Sequence, residues 1–288
     1  MRALVLGAGG LLGREFASEK PREHEIVALA HADLDVRDTA AVQRVIRDLS
    51  PNWVINASGF THVDAAERDR DAAFAVNAAA VGELARVCGE NRSGLAHFST
   101  DYVFDGAKTG CYREDDEPLP LSVYGASKLA GEELVRRSGA RHLIIRTQWL
   151  FGFGNRSFLS TLWQRAQERR PTRVVADQFG CCTFTVDLAR VTWVALDRLE
   201  GTYHVANKGR VSRFEIAQRI FGAAGVPELV TPCEGADMPA AARRPTNSPL
   251  CLSKVERALG YTMAEWTDAM RRYLVALSRG EHAAVRAN

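Results

Sequence analysis

The chain carries little net charge for its length. Its 37 Lys and Arg against 35 Asp and Glu leave a formal charge of +2 over 288 residues. The arginines are scattered, and no basic patch interleaved with aromatics is visible, so nucleic acid is not an expected partner. Cysteine is present without a useful spacing. Cys88, Cys111, Cys181, Cys182, Cys233 and Cys251 form no C-x-x-C or comparable ligand pattern. No metal is expected, and all six are expected to be reduced thiols. The N-terminus lacks the long apolar core and small-residue cleavage site of a secretory leader. No stretch approaches the roughly 18 apolar residues of a membrane span. The expectation is a cytoplasmic protein without a membrane partner. Internal repeats and low-complexity tracts are missing too, which excludes a repeat architecture.

What is present is an ordinary globular composition, 46% hydrophobic and 25% charged, with enough chain for a large core. Short apolar runs recur at Ala3–Leu6, Ile26–Ala30, Trp53–Asn56, Leu95–Ser99 and Leu143–Arg146. Amphipathic stretches of helical length separate them, clearest at Leu11–Ser18, Ala40–Leu49, Ala72–Glu90 and Tyr124–Arg137. Alternation of this kind predicts an α/β fold, a doubly wound parallel sheet of Rossmann type. Ligands of such sheets bind at the carboxyl ends of the strands, where strand order reverses.

The alternation fades after about Trp149. Helices are expected at Ser157–Arg170, Val186–Leu199, Arg213–Ala224 and Ala264–Leu277, with a strand at Gly201–Asn207. Asp177–Thr183 reads as a polar loop and Met238–Pro249 as an irregular one. The resulting division gives residues 1–148 and 184–207 to a dinucleotide-binding domain. Residues 149–183 and 208–288 form a smaller, mostly C-terminal substrate-binding region. The final stretch, Gly280–Asn288, is expected to fray.

Gly7, Gly10 and Gly13 follow the first strand with G-x-x-G-x-x-G spacing. Directly between a strand and a helix, such glycines allow a tight turn, close approach to a pyrophosphate, and close helix–sheet packing. The helix N-terminus then faces the phosphates. The second strand ends Leu29-Ala30-His31, without the acidic residue that would favour NAD by binding the ribose hydroxyls. His31 leans toward a 2′-phosphate, so NADPH is the expected cofactor, with NADH left open. Asp35 and Val36 are placed at the adenine, with the carboxylate accepting from its amino group.

Tyr124 and Lys128 are four residues apart and share one helix face. A lysine cation beside a tyrosine lowers the phenol's pKa and favours proton donation to a carbonyl oxygen. Ser99-Thr100-Asp101 closes the preceding strand, and Thr100 is the hydroxyl placed to orient such a carbonyl. Asp101 contacts substrate or caps the following turn.

These pieces resemble an extended short-chain dehydrogenase/reductase. Longer stretches narrow the likeness: Ala57–Glu67, Ser99–Phe104, Arg146–Trp149, Asp177–Gly180 and Arg244–Ser248 resemble the dTDP-4-dehydrorhamnose reductase family, from Met1 to about Tyr273. The resemblance implies reduction of the C4 ketone of a nucleotide-activated deoxysugar by NAD(P)H. It implies Tyr124 as proton donor, Lys128 as its partner and Thr100 as the orienting residue. It places Gly10, Leu11, Leu12, Asp35, Val36, Gly59, Phe60 and Thr61 at the cofactor, Trp149 and Asp101 at the sugar, and Asn77 in support. Arg244 and Asn247 are candidates for the diphosphate or sugar, since arginine's donor fork suits phosphate.

Three positions depart from the family pattern. Gln148 replaces a frequent serine beside the sugar, Cys181-Cys182-Thr183 replaces Ala-Pro-Thr, and Phe60 replaces a more polar residue. They leave a reductase of another 4-keto-6-deoxysugar open. A non-catalytic regulatory relative would have lost part of the Thr100, Tyr124, Lys128 set. A dehydratase would carry an acidic pair where only Asp101 stands. A homodimer is also left open.

Overall fold

The computed structural model describes residues 1–154 and 157–279; the fraying expected at 280–288 lies outside them. Strand β1 (Arg2–Leu6) leads into helix α1 (Gly13–Ser18), β2 (Glu25–Leu29) into α2 (Thr39–Leu49), and β3 (Trp53–Asn56) into α3 (Val63–Arg68) and α4 (Arg70–Phe74). A π-turn at Ala75–Ala79 joins α4 to α5 (Ala80–Glu90) as one rod, and β4 (Gly94–Thr100), α6 (Val123–Arg137) and β5 (His142–Thr147) follow. The chain then runs through β6 (Leu150–Phe151), α7 (Phe158–Gln167), β7 (Thr172–Val175), β8 (Phe179–Gly180), β9 (Thr183–Phe184), α8 (Thr185–Leu196) and β10 (Gly201–His204). Last come β11 (Val211–Ser212), α9 (Arg213–Ala223), β12 (Val230–Cys233), α10 (Ser253–Leu259) and α11 (Trp266–Ser278).

Six of these strands form one sheet in the order β10-β5-β4-β3-β1-β2, parallel at every pairing. Side chains alternate across a strand, so a sheet covered on both sides needs apolar residues at every position. In β1, Ala3 and Val5 face Phe16 of α1 and Leu188 and Trp193 of α8. Leu4 and Leu6 face Ile46 of α2 and Leu84 of α5. Strand order reverses between β1 and β3, which opens a crevice at their carboxyl ends. This is the expected doubly wound α/β fold.

A second core lies beyond the sheet, built from Phe151, Leu162, Phe184, Ile220, Phe221 and Tyr273. Short strand pairs brace it: β6 with β9, β7 with β12, and β8 with β11. The expected loop at Asp177–Thr183 therefore contains strand edges, whereas Met238–Pro249 forms no helix or strand. The sequence division gives all of 208–288 to this smaller body. In the structure Leu250, Leu252, Val255 and Met263 pack in the sheet's core instead.

Two expectations are overturned. The rod Arg70–Glu90 is, at 21 residues, long and apolar enough by length and composition to cross a membrane. Glu83 and Arg86 within it, and Arg70, Asp71 and Glu90 at its ends, disguise it in the sequence. Half of its apolar window is buried inside the protein, and it carries the hydrogen-bonded Asn77, so it serves as a core helix here. The cysteines are not all reduced: Cys111 and Cys251 form a disulfide, with Cα atoms 5.1 Å apart and 140 residues between them in sequence. Backbone pairing draws them together, since Tyr112 N donates to Pro249 O at 2.8 Å and Cys251 N to Tyr112 O at 2.7 Å. Cys88, Cys181, Cys182 and Cys233 are free and buried.

Candidate active site

A cleft of about 1100 Å³ opens at the carboxyl ends of the sheet strands, between the two cores. Gly7, Gly10, Leu11, Leu12, His31, Asp35, Val36, Gly59, Phe60 and Thr61 line one end; Thr100, Asp101, Tyr124, Lys128, Gln148 and Trp149 line the other. The cofactor and catalytic candidates therefore meet in one space.

The glycine turn is shaped by close approach. Gly7 has φ +78°, and a Cβ there would lie 2.7 Å from Ser58 N. Gly13 does not line the cleft; a Cβ on it would lie 2.1 Å from Gly7 O. It sits behind the turn and lets α1 start against the strand. Asp35 accepts three hydrogen bonds from the Arg37 guanidinium at 2.6–3.0 Å. Those bonds hold its carboxyl down at about 2. Arg37, which the sequence reading passed over, lines the same end.

Asn77 lies in the π-turn and is fully buried. A π-turn offsets the helix ladder and re-aims a side chain. Here Asn77 Oδ1 accepts from Phe60 N at 2.9 Å, and Nδ2 donates to Phe60 O at 3.0 Å and Ser127 Oγ at 3.0 Å. One side chain thus ties the cofactor loop at Gly59–Phe60 to the helix that carries Tyr124 and Lys128.

Helix α6 is capped by Ser122, whose hydroxyl accepts from Gly125 N at 3.1 Å. This cap sets Tyr124 in the first turn and Lys128 one turn on. Tyr124 lies near the Thr100 hydroxyl, which favours its phenolate, and meets the Tyr102 ring edge-on at 5.5 Å. In the free protein burial, rather than the lysine, dominates the phenol. Burial pushes Tyr124 above its ordinary value and pushes Lys128 down to about 8. Both charged forms are disfavoured because both groups sit below the surface.

Thr100 Oγ1 donates to Asp101 Oδ1 at 3.1 Å and accepts from Tyr102 N at 3.2 Å. Asp101 is buried, and its second oxygen accepts from Ser248 Oγ at 2.7 Å. Burial holds its carboxyl up at about 6. Asp101 therefore clamps the end of β4 to the 244–252 segment as well as facing the cleft. Ser248 is its partner.

Trp149 sits at φ +45°, a left-handed conformation rare for an aromatic residue. Such strain persists where surroundings over-determine it. Gly180 lies behind the ring, where a Cβ would come within 2.9 Å of Trp149 Cζ2. In front, the Arg213 guanidinium stacks 4.3 Å from the ring centroid. Gln148 spends its amide on structure: Nε2 donates to Ser248 O at 3.1 Å and Oε1 accepts from Cys181 N at 2.9 Å. Gln148 and the Cys181 backbone, two departures from the family pattern, are thus one hydrogen-bonded unit.

Arg244 and Asn247 do not reach the cleft wall. Arg244 pairs with Asp64 at 2.7 Å. Asn247 donates to Lys108 O at 2.7 Å and Gly110 O at 3.1 Å, and accepts from Arg210 Nε at 3.0 Å. Arg213 is the arginine that lines the cleft beside Trp149. A sequence signal for it exists. Ser212 and Glu215 form a capping box, which puts Arg213 in the first turn of α9, where the helix dipole disfavours a cation.

A cofactor turn facing a tyrosine–lysine pair across one crevice is the arrangement of the extended short-chain dehydrogenase/reductases, and this fold is theirs. Within that class the chain matches the family model described as RmlD substrate binding domain over residues 1–279, and it belongs to that family. It is 37% identical over 286 residues to a dTDP-4-dehydrorhamnose reductase of Aggregatibacter actinomycetemcomitans, covering 94% of this chain and 97% of that one. It is 36% identical over 289 residues to a Streptomyces antibioticus protein named "Probable dTDP-4,6-dihydroxy-2-methyloxan-3-one 4-ketoreductase", covering 98% and 97%. A dTDP-4-dehydrorhamnose reductase from Bacillus anthracis, solved in complex with NADP, superposes with a TM-score of 0.92 at 35% identity, covering 95% of this chain and 98% of that one. A UDP-glucose 4-epimerase from Thermus thermophilus shares the fold, with a TM-score of 0.77 at 22% identity, covering 91% and 94%.

Proposed function

We propose that this protein reduces the C4 ketone of dTDP-4-dehydro-L-rhamnose to dTDP-L-rhamnose, using NADPH and, less well, NADH. The observation that carries the reading is the meeting of Thr100, Tyr124 and Lys128 at one end of the crevice whose other end is the glycine turn. Family membership and the names of the relatives support it. The residues fit a dinucleotide. The turn leaves backbone, not side chain, facing the phosphate position, and the end of β2 offers His31 and Arg37, with the Asp35 carboxylate already paired to Arg37.

Bound NADPH supplies the hydride. The chain's own groups handle the proton. Tyr124 donates its phenolic proton to the oxygen of the ketone as that oxygen gains charge. Thr100 has one hydroxyl proton, which rests on Asp101. As Tyr124 becomes phenolate, that hydroxyl can turn to it and stabilise the charge. Lys128, as ammonium, supports the phenolate and resupplies its proton. Asp101 and Ser248 hold Thr100 in place throughout. Trp149 provides the apolar face for the sugar, and Arg213 stands beside it as the cation for the diphosphate.

A second reading, reduction of another dTDP-4-keto-6-deoxysugar, is favoured by the Gln148–Cys181 unit in the wall of the cleft. One assay separates the two. The protein is incubated with dTDP-4-dehydro-L-rhamnose and either NADPH or NADH, cofactor oxidation is followed by absorbance, and the product is identified by NMR. Rapid oxidation with formation of dTDP-L-rhamnose is expected. NADPH binding without oxidation would reject this sugar and leave the second reading.

A further inference from the structure

Beneath Lys128 lies a polar chain that the reaction above does not use. Strand β4 is buried along all 7 of its residues, yet it carries His97, which is 0% exposed, between Ala96 and Phe98. His97 Nδ1 is 3.3 Å from Asn56 Nδ2 at the end of β3. His97 Nε2 is 3.5 Å from Lys128 Nζ. A polar chain inside a parallel sheet costs desolvation and is not there for packing.

The orientation of the Asn56 amide follows from its other end. Asn56 Oδ1 accepts from Ser58 N at 3.1 Å and from Ser58 Oγ at 2.5 Å. Nδ2 therefore turns to the ring and donates to Nδ1. A neutral imidazole has one acceptor and one donor nitrogen. With Nδ1 accepting, the proton sits on Nε2 and faces Lys128. That N–H can donate to the lone pair of a free amine and opposes an ammonium.

We propose that Asn56 fixes His97 as its Nε2–H tautomer, and that the pair is a positioning device favouring the free amine of Lys128. A lysine so placed gives up its proton readily, which suits resupply of Tyr124. The device also links Lys128 to the cofactor loop: turning Asn56 around to suit an ammonium would break both bonds to Ser58. The other ionisable groups around Lys128 are Tyr124 and Glu132 on α6 and Asp101 beyond β4. Glu132 is already paired with Arg146 of β5 at 2.8 Å. The lowered pKa of Lys128, about 8 and set first by burial, agrees with this arrangement. The ring itself stays neutral, since burial and Lys128 both hold His97 well below its ordinary range.

This proposal rests on the roles given to Tyr124 and Lys128 above, but its first test needs no turnover. Long-range proton–nitrogen NMR on the labelled protein should show His97 with a bare Nδ1 and a protonated Nε2, unchanged across the range where free histidine titrates. A protonated Nδ1 would overturn the proposal whatever the substrate proves to be. The second test is the pH profile of turnover, which falls as Lys128 loses its proton. Asn56→Asp keeps the acceptor for Ser58 and replaces the donor facing His97 with an acceptor. It should move the proton to Nδ1 and shift the alkaline limb up by about one pH unit. Ser58→Ala adds no charge and removes the hydroxyl bond to the amide, leaving only the backbone N–H at 58 to hold it; its limb should move the same way by a smaller step. An unmoved limb in both variants would also overturn the proposal. Should Asn56→Asp fail to fold, Ser58→Ala decides that arm. If no ketosugar is turned over, the NMR result decides alone.

Discussion

Trp149 shows what a single residue can be made to do at this site. Its φ of +45° is unfavourable for an aromatic side chain. The ring is held there by Gly180 behind and Arg213 in front. Removing the ring takes away the apolar face proposed for the sugar and leaves the glycine turn alone. Trp149→Ala is therefore expected to raise KM for the nucleotide sugar about tenfold, a loss of roughly 1.4 kcal/mol. NADPH binding, measured by titration, should be unchanged. A fall in kcat with KM unaltered would place Trp149 in the chemical step instead. Much of the site was legible at this scale. Tyr124, Lys128 and Thr100 were readable because helix spacing and strand-end position fix where such side chains go. Arg213 was readable in principle, as a cation on the wrong end of a capped helix. Arg244 and Asn247 stood out because their residue types suit phosphate; in the fold Asp64 and the 108–110 backbone hold them.

At the scale of the element, α1 packs its Glu15 against α8. Burial, with Glu19 adding to it, raises that carboxyl from 4.5 to about 7. A carboxyl with a raised folded-state pKa stabilises the fold through its protonated form. That contribution is complete below the unfolded-state value and is lost as pH rises through the folded-state value. The window is thus about 4.5 to 7. Glu15→Gln should raise the melting temperature at about pH 8 and change it little at about pH 5. Equal shifts at both values, read in thermal melts, would mean that packing and not charge is responsible. Elements followed the sequence where they were long enough to show a period. The first five strands and their helices did. The short helices α3 and α10 did not, nor did the short strand pairs of the second body, β6 with β9 and β7 with β12, which lie where the strand–helix alternation has faded.

Over the whole molecule, the disulfide was the feature furthest from view. Nothing local relates Cys111 to Cys251 across 140 residues; only the pairing of Tyr112 with Leu250 does. The bond joins the 105–116 loop to the segment that carries Ser248, the partner of Asp101. Crosslinking distant segments mainly restricts the unfolded chain. Cys251→Ser is expected to cost about 2–4 kcal/mol in urea unfolding without reductant. Reductant should bring the native protein down to the level of the variant. A native protein whose unfolding ignores reductant would show that the thiols are not joined.

The central claim is that Tyr124 gives its proton to a ketone held in the cleft. Single-turnover oxidation of NADPH by Tyr124→Phe tests it most directly, with dTDP-4-dehydro-L-rhamnose as substrate. Loss of a positioned general acid predicts a rate about 100- to 10,000-fold below the native protein, with NADPH binding nearly unchanged. Native-like turnover in that variant would contradict the assignment.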